Sequence, residues 1–484
     1  MVYAIGQADE GGWAMAEHQR EWRIFIENRE AVMEALRQGK CEGILPAARG
    51  FLDGFAQFLL EAGILDALEE FPDSRQRRTI PIFFFCHTLI YRPLFHLKRL
   101  APIERTLFRS AYILRQLGFN ALQIEKGFYQ NAPERRPFTV EAIPECFAKS
   151  KAGDFLENQK LVLKKLVAYC PAQFLEGLWV MDSVHVSVPR GAHTEAISFK
   201  VCVLGVWQDN VVWPLLWAFV PGSENETVVG KQVFAAAERV LGQGFIRHLL
   251  IDRGYLDGTW ISKLHNQGTR VTIGVKEDML IFEEMQNQIR LVDTVWTEVE
   301  PPKLHNKTPP QRAVTGFTAL QDEWQGCTAP LSGCLIRDTY PHHVVYQGLV
   351  TTAEMAEATE ILHDNGCRWT LEEVFMTLTR YWRFDDLAPC RQGVAYALIH
   401  FALLAYTLLG FHLQETDAAE EARTWNLAPP PIPLPERELA VYAGHHFALL
   451  LPSELLDIIL SHIDAWQANR DRLILALRLC EGHT

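Results

Sequence analysis

Three acidic residues carry the chemical interest of this sequence. Asp182 stands inside the apolar run WVMDSVHVSV, Asp252 closes the run LLID before RGY, and a glutamate follows in TLEEVF as Glu372 or Glu373. A carboxylate in an apolar strand is costly to bury unless a cation or hydrogen-bond donors compensate it. An aspartate where a buried strand opens into a glycine turn lies at the sheet edge where ligands collect. Carboxylates are hard oxygen ligands, and Mg²⁺ takes few of them, completing its shell with water and phosphate oxygens. Three at one end of a sheet can hold two divalent ions roughly 4 Å apart, one activating the attacking oxygen and one stabilising the leaving oxygen of a phosphodiester. Any one of them alone is as easily a cap or turn residue, so the argument rests on their order and surroundings. His185 alternates onto the strand face opposite Asp182 and reads as structural.

Helical geometry chooses between the glutamates. With Leu371 at 0° and about 100° per residue, Phe375 falls at about 40°, Leu378 at about 340° and Trp382 at about 20°, which defines a buried stripe. On that scale Glu372 lies at its margin, about 100°, with Arg368 at about 60°, Thr379 at about 80° and Asn365 at about 120°. Glu373 falls at about 200°, beside Arg380 at about 180°, where a solvated acid is expected. Glu372 therefore shares one stripe with a cation able to hold a phosphate.

The elements that must position these acids can be read along the chain. Residues 1–170 read as helical, with three- and four-residue spacing in Phe51 to Leu68 and in Arg105 to Leu117, and no strand is expected there. Within it, RTLFRSAYILRQLGFNALQIEKGFY reads as helix, turn at Gly118 to Asn120, and helix, the grammar of a helix-turn-helix. From Leu178, three β-branched and aromatic runs form a meander, followed by a helix at Glu226 to Leu241, a strand IRHLLID, a helix at Gly258 to Asn266 and a strand RVTIGVK. The order βββαβαβ predicts an α/β (α+β) core with one mixed sheet flanked by helices, spanning 175–276 and 346–415. Residues 277–345 read as a β-rich insertion, and helical spacing returns at about Gly366. A Pro-rich linker, 428–435, precedes a C-terminal helical region, 436–484, with an amphipathic segment at Ser453 to Leu479. No internal repeat is evident.

Composition narrows the class. A chain of 484 residues that is 48% hydrophobic and 22% charged is a packed globular protein of several domains, which excludes a disordered one. Ten cysteines without a CxxC pair point away from a disulfide scaffold or zinc ribbon and towards a reducing, cytoplasmic compartment. The acidic N-terminus, lacking an apolar core, does not read as a secretory signal. Gly393 to Leu413 is long enough to span a membrane, but an isolated apolar stretch of this kind is expected to be a core helix. The net charge of −13 argues against non-specific coating of nucleic acid. It hides an asymmetry: Arg75 to Arg136 holds twelve Lys/Arg against three acids, +9, leaving −22 for the rest. Arg105, Arg109 and Arg115 lie in this stretch and are candidate phosphate contacts.

Taken together, the Asp182 strand, IDRGYLDG and CRWTLEEVFMTLTRYWRFDDL resemble the DDE transposases of bacterial insertion sequences. Within these they resemble the cut-and-paste group with a Tyr-x2-Arg-x3-Glu-x6-Lys helix and an RNase H-like core split by a β-rich insertion. The resemblance covers roughly 175–412, with 70 residues from Asp182 to Asp252 and 120 from Asp252 to Glu372. It implies that Asp182, Asp252 and Glu372 are the catalytic and metal-binding triad for two Mg²⁺ or Mn²⁺ ions. It implies too that Arg368 contacts the DNA backbone, and Arg253 and Arg380 are further candidates. The positions of the signature Tyr and Lys hold Asn365 and Thr379. The implied activity is cleavage of double-stranded DNA at terminal inverted repeats and strand transfer, by a homodimer on DNA in the bacterial nucleoid. A catalytically silent, transposase-derived DNA-binding protein is the alternative. A phosphohydrolase for small molecules finds no phosphate-cradling glycine loop in the chain.

Overall fold

The computed structural model describes residues 22–469 apart from 47–51, 77, 96, 129–136, 172, 173, 175, 176, 190–195, 209, 292, 302–309, 381, 383, 385, 386 and 416–437. The strands, in chain order, are β1 (Ile26–Glu27), β2 (Gly43–Pro46), β3 (Leu178–Val188), β4 (Ile197–Gln208), β5 (Val211–Pro221), β6 (His248–Ile251), β7 (Arg270–Val275), β8 (Thr297–Val299), β9 (Gln311–Phe317), β10 (Ser332–Thr339), β11 (Val344–Thr351), β12 (Leu439–Ala443) and β13 (His446–Leu450). Two compact units are present, one drawn from 1–154, 189–193 and 381–484, the other from 155–188 and 194–380.

The second unit is built on a nine-stranded sheet in the order β5-β4-β3-β6-β7-β11-β10-β9-β8. β3, β4 and β5 form the antiparallel meander read from the sequence, and β6 and β7 add in parallel. β5, VVWPLLWAFVP, is buried along nearly its whole length, which is why it reads as a continuous apolar run. Pro214 has no N–H for the ladder, and the register shifts by one residue beside it. Met181 and Asp182 point to opposite faces of β3. A Cβ on Gly230, in helix Glu226–Leu241, would lie 3.0 Å from the Met181 sulfur, whereas Asp182 meets the helix Ala358–Arg380. The two helices therefore flank the sheet, giving the mixed α/β core with a large mixed sheet that the sequence predicts.

The region read as a β-rich insertion is continuous with that core in space. β11 pairs antiparallel with β7, and β10, β9 and β8 extend the same sheet outward. It also holds a helix that the sequence reading missed, Leu280–Leu291. Only Ile281, Phe282 and Met285 are buried in it, and the exposed Leu280 and Leu291 blur the stripe. The helix bearing Glu372 begins at Ala358, eight residues before the expected Gly366, so Asn365 lies on it. It ends at Arg380, so Trp382 lies beyond it.

The first unit corrects the all-helical expectation at both chain ends. β1 and β2 join the C-terminal hairpin β12–β13 in a four-stranded sheet, ordered β1-β13-β12-β2. Two- and four-residue strands are too short to show a period, and their partners lie at the far end of the chain. Gly444 turns the hairpin at φ 61°. A core of Val32, Leu36, Ile44, Val441, Leu450 and Trp466 ties helix Arg29–Arg37 to this sheet. The C-terminal segment is two short helices, Pro452–Ser461 and Ile463–Ala468, while 428–435 and 470–479 lie outside the described residues. In the apolar helix Gln392–Glu415, residues 393–413 are buried within this unit, and the helix packs against Ile82–Leu94, Leu52–Glu61 and Ala142–Phe147. It is a core helix, as expected.

Candidate active site

Register brings the two aspartates together. Met181 is the Cα partner of Ile251, and Asp252 N–H donates to the Met181 carbonyl at 3.3 Å, so the next residue on each strand is an aspartate. β6 ends at Ile251, and its pairing with β3 stops at Met181. The chain then turns through a short 3-10 segment, Arg253–Tyr255, capped by the Asp252 side chain, which accepts from Gly254 N–H at 3.0 Å. Tyr255 is fully buried, its hydroxyl 3.1 Å from the Cys202 sulfur, and anchors this turn.

Glu372 arrives from helix Ala358–Arg380, whose residues Leu371, Phe375 and Leu378 are buried as the periodicity requires. Glu373 is exposed. All three acids converge on one atom. Arg368 Nη1 lies 2.6 Å from Asp182 Oδ2, 3.4 Å from Asp252 Oδ1 and 3.1 Å from Glu372 Oε1. The second oxygen of Asp182 accepts from Ser183 N–H at 2.7 Å. Asp182 is 8% exposed, and burial, joined by the charges of Asp252 and Glu372 and opposed by Arg368, pushes its pKa up to about 7. Burial also raises Glu372, with Arg368 again opposing.

The geometry suits a divalent cation by its chemistry: three hard carboxylates from three elements surround one positive centre. Among the described residues no three His, Cys, Asp or Glu side chains are gathered closely enough to hold an ion by themselves, because the guanidinium stands between these acids. The resemblance implies that Arg368 contacts the DNA backbone; here its guanidinium lies among the acids. Arg368 is 8% exposed and turned onto the acids, because three like charges in a low-dielectric site draw the nearest cation inward.

The other expected cations divide. Arg253 and Arg380 are exposed in the second unit, and Arg105 and Arg109 are exposed in the first. Arg115 is a correction. Its helix, Ala111–Gln116, turns at Gly118, φ 93°, into Ala121–Lys126, as the helix-turn-helix pattern predicts, but its side chain is 3% exposed. The guanidinium carbon sits 5.2 Å from the Phe25 ring and 5.4 Å from the Tyr442 ring, and burial lowers its pKa. His185 bonds Ser198 Oγ at 2.6 Å, in keeping with its structural reading. The sequence reading missed Glu226, paired with Lys200 at 2.9 Å and packed against Gly254. As an acid in the first turn after the Asn225 cap it reads as a helix-dipole residue, so no local signal marks it.

Residues 180–408 match the family described as transposase DDE domain. Among solved structures, the chain is similar to a piggyBac transposase synaptic complex with hairpin DNA, determined by cryo-EM. The two are 10% identical, with 80% of this chain and 82% of that chain covered and a TM-score of 0.37. No curated protein matches the chain.

Proposed function

We propose that the protein is a transposase of the cut-and-paste kind, with Asp182, Asp252 and Glu372 as its catalytic carboxylates. The observation that carries this is their convergence on Arg368 Nη1 inside the segment that matches the transposase DDE domain. Asp182, Asp252 and Glu372 would hold Mg²⁺ or Mn²⁺, whose chemistry there would be activation of the attacking oxygen and neutralisation of phosphate charge. The protein's part is positioning. β3 and the end of β6 fix the two aspartates, and the helix sets Glu372 against them. Arg368, beside all three acids, would pair with a phosphate oxygen of the bound strand.

The reaction is hydrolysis of a phosphodiester at the element's end: water's oxygen joins phosphorus, the P–O3′ bond breaks, and a proton passes to the leaving 3′ oxygen. The freed 3′-hydroxyl then attacks a phosphodiester of target DNA, exchanging one P–O bond for another. Exposed Arg105 and Arg109 in the basic stretch bind the terminal repeats, Arg253 and Arg380 flank the cut strand, and two ends imply a homodimer on DNA. Nine described cysteines, with no disulfide among the described residues, support a reducing, cytoplasmic setting. The test is cleavage and joining of a DNA fragment carrying the gene's own flanks, in Mg²⁺ or Mn²⁺. A second reading, a silent DNA-binding descendant, draws on the guanidinium lodged among the acids, and binding without cleavage in that assay selects it.

A further inference from the structure

We infer that the first unit holds a binding site for an unpaired nucleotide, formed by two adjoining recesses beside the start of helix Gln392–Glu415. One is a mostly apolar cavity of about 430 Å³ walled by Leu387, Val394 and Leu398. The other, of about 450 Å³, is as polar as it is apolar. They share an edge that includes Lys98, Arg99 and Ala388. Arg391 joins the two cations at the apolar recess, where Glu145 is the only acid among the described residues. Among the described residues none of the three cations is paired with a carboxylate.

A fourth positive charge lies behind the wall. Arg92 is 3% exposed and donates to the Lys98 carbonyl at 3.4 Å and the Leu398 carbonyl at 3.3 Å, both residues of the cavity lining. Its Nε has no partner, and burial lowers its pKa only to about 10, so it stays charged at neutral pH. Unpaired cations around a recess of ligand size call for an anion. An apolar recess next to a polar one, with cations on the shared edge, calls for an anion bonded to a flat, poorly hydrated body. A nucleoside phosphate combines the two: the base enters the apolar recess and the phosphate meets Lys98, Arg99 and Arg391. The phosphates of an intact duplex lie on a convex surface and leave such a cavity unfilled.

The ligand is either a nucleotide in an unpaired DNA strand or a free mononucleotide, and the site stands independently of the acid cluster. The test uses the full chain with three probes: a short fluorescent oligothymidylate, thymidine 5′-monophosphate, and a blunt duplex. Ala388→Trp fills the shared edge from an exposed position, and Arg391→Glu reverses one charge. The expected result is that each variant weakens oligothymidylate binding about tenfold and leaves duplex binding unchanged. Competition by the mononucleotide at similar concentration assigns the site to the free nucleotide, and its failure assigns the site to a strand. Unchanged oligothymidylate binding in Ala388→Trp, or equal loss of duplex and single-strand binding in Arg391→Glu, overturns the inference. Strand cleavage is not read in this experiment, so its failure is separate from failure of the transposase reading.

Discussion

Arg368 Nη1 and Asp182 Oδ2 are 2.6 Å apart inside the second unit, and the same nitrogen reaches Asp252 and Glu372. A positive centre is thus part of the folded state of the acid cluster. Breaking a buried pair by removing one partner leaves uncompensated charge, at about 3–5 kcal/mol. Arg368→Ala is therefore expected to lower the thermal midpoint markedly in chelator. Mn²⁺ is expected to restore more of it in the variant than in wild type, as read by calorimetry with and without the ion. Equal shifts in both proteins contradict the placement of a cation site at these acids.

The Asp182 pKa of about 7 fixes a pH dependence. The carboxyl titrates at about 3.9 in the unfolded chain, so between about 4 and 7 the folded state binds the extra proton. Stability from this group is greatest at low pH and is lost as pH rises through 7. Asp182→Asn lacks that charge, so its stability relative to wild type in chelator is expected to improve from pH 5 to pH 8. Denaturant unfolding of both proteins across that range measures the difference.

Gly230 lies against the anchor of the Asp252 turn. A Cβ there comes within 2.6 Å of two Tyr255 ring atoms and 3.0 Å of the Met181 sulfur. Gly230→Ala is expected to destabilise by about 1–3 kcal/mol through overpacking. It should also slow cleavage more than it weakens DNA binding, because the displaced ring carries the turn that places Asp252. Parallel cleavage and binding assays check this.

In the basic stretch, exposed Arg105 and Arg109 are separated in kind from buried Arg115. Arg105→Glu with Arg109→Glu is expected to weaken duplex binding about tenfold and to flatten its salt dependence. Arg115→Met is expected to change the thermal midpoint and leave the salt slope alone. Binding titrations at several salt concentrations distinguish the two.

The first unit buries His87 and His400 completely, and burial lowers each pKa to about 3. Unfolded histidine titrates at about 6.5, so below that the unfolded state binds more protons and stability falls. At pH 5 each contributes a loss of about 2 kcal/mol. His400→Leu is expected to flatten the acid side of the stability profile, measured by denaturant unfolding between pH 5 and pH 7.

The two aspartates were legible because each interrupts or ends a strongly apolar strand. Glu372 was legible because Leu371, Phe375 and Leu378 define a helix face. What the sequence concealed depends on distant partners. Arg115 is core only because the residue before β1, Phe25, and Tyr442 of β12 are brought over it, and Arg105, in the same stretch, differs from it by fold alone. Helical angle places Arg368 on the stripe of Glu372 but does not say that one guanidinium nitrogen reaches all three acids. The helix Leu280–Leu291 escaped notice because its exposed leucines spoil the stripe that three buried residues define.

The central claim is that Glu372, and not its neighbour, completes the acid site. The most direct measurement is in vitro cleavage and joining of the gene's own flanking DNA by wild type, Glu372→Gln and Glu373→Gln, all purified and matched for DNA binding. Products are expected from wild type and Glu373→Gln, and none from Glu372→Gln. Cleavage that survives Glu372→Gln, or that vanishes only with Glu373→Gln, contradicts the account.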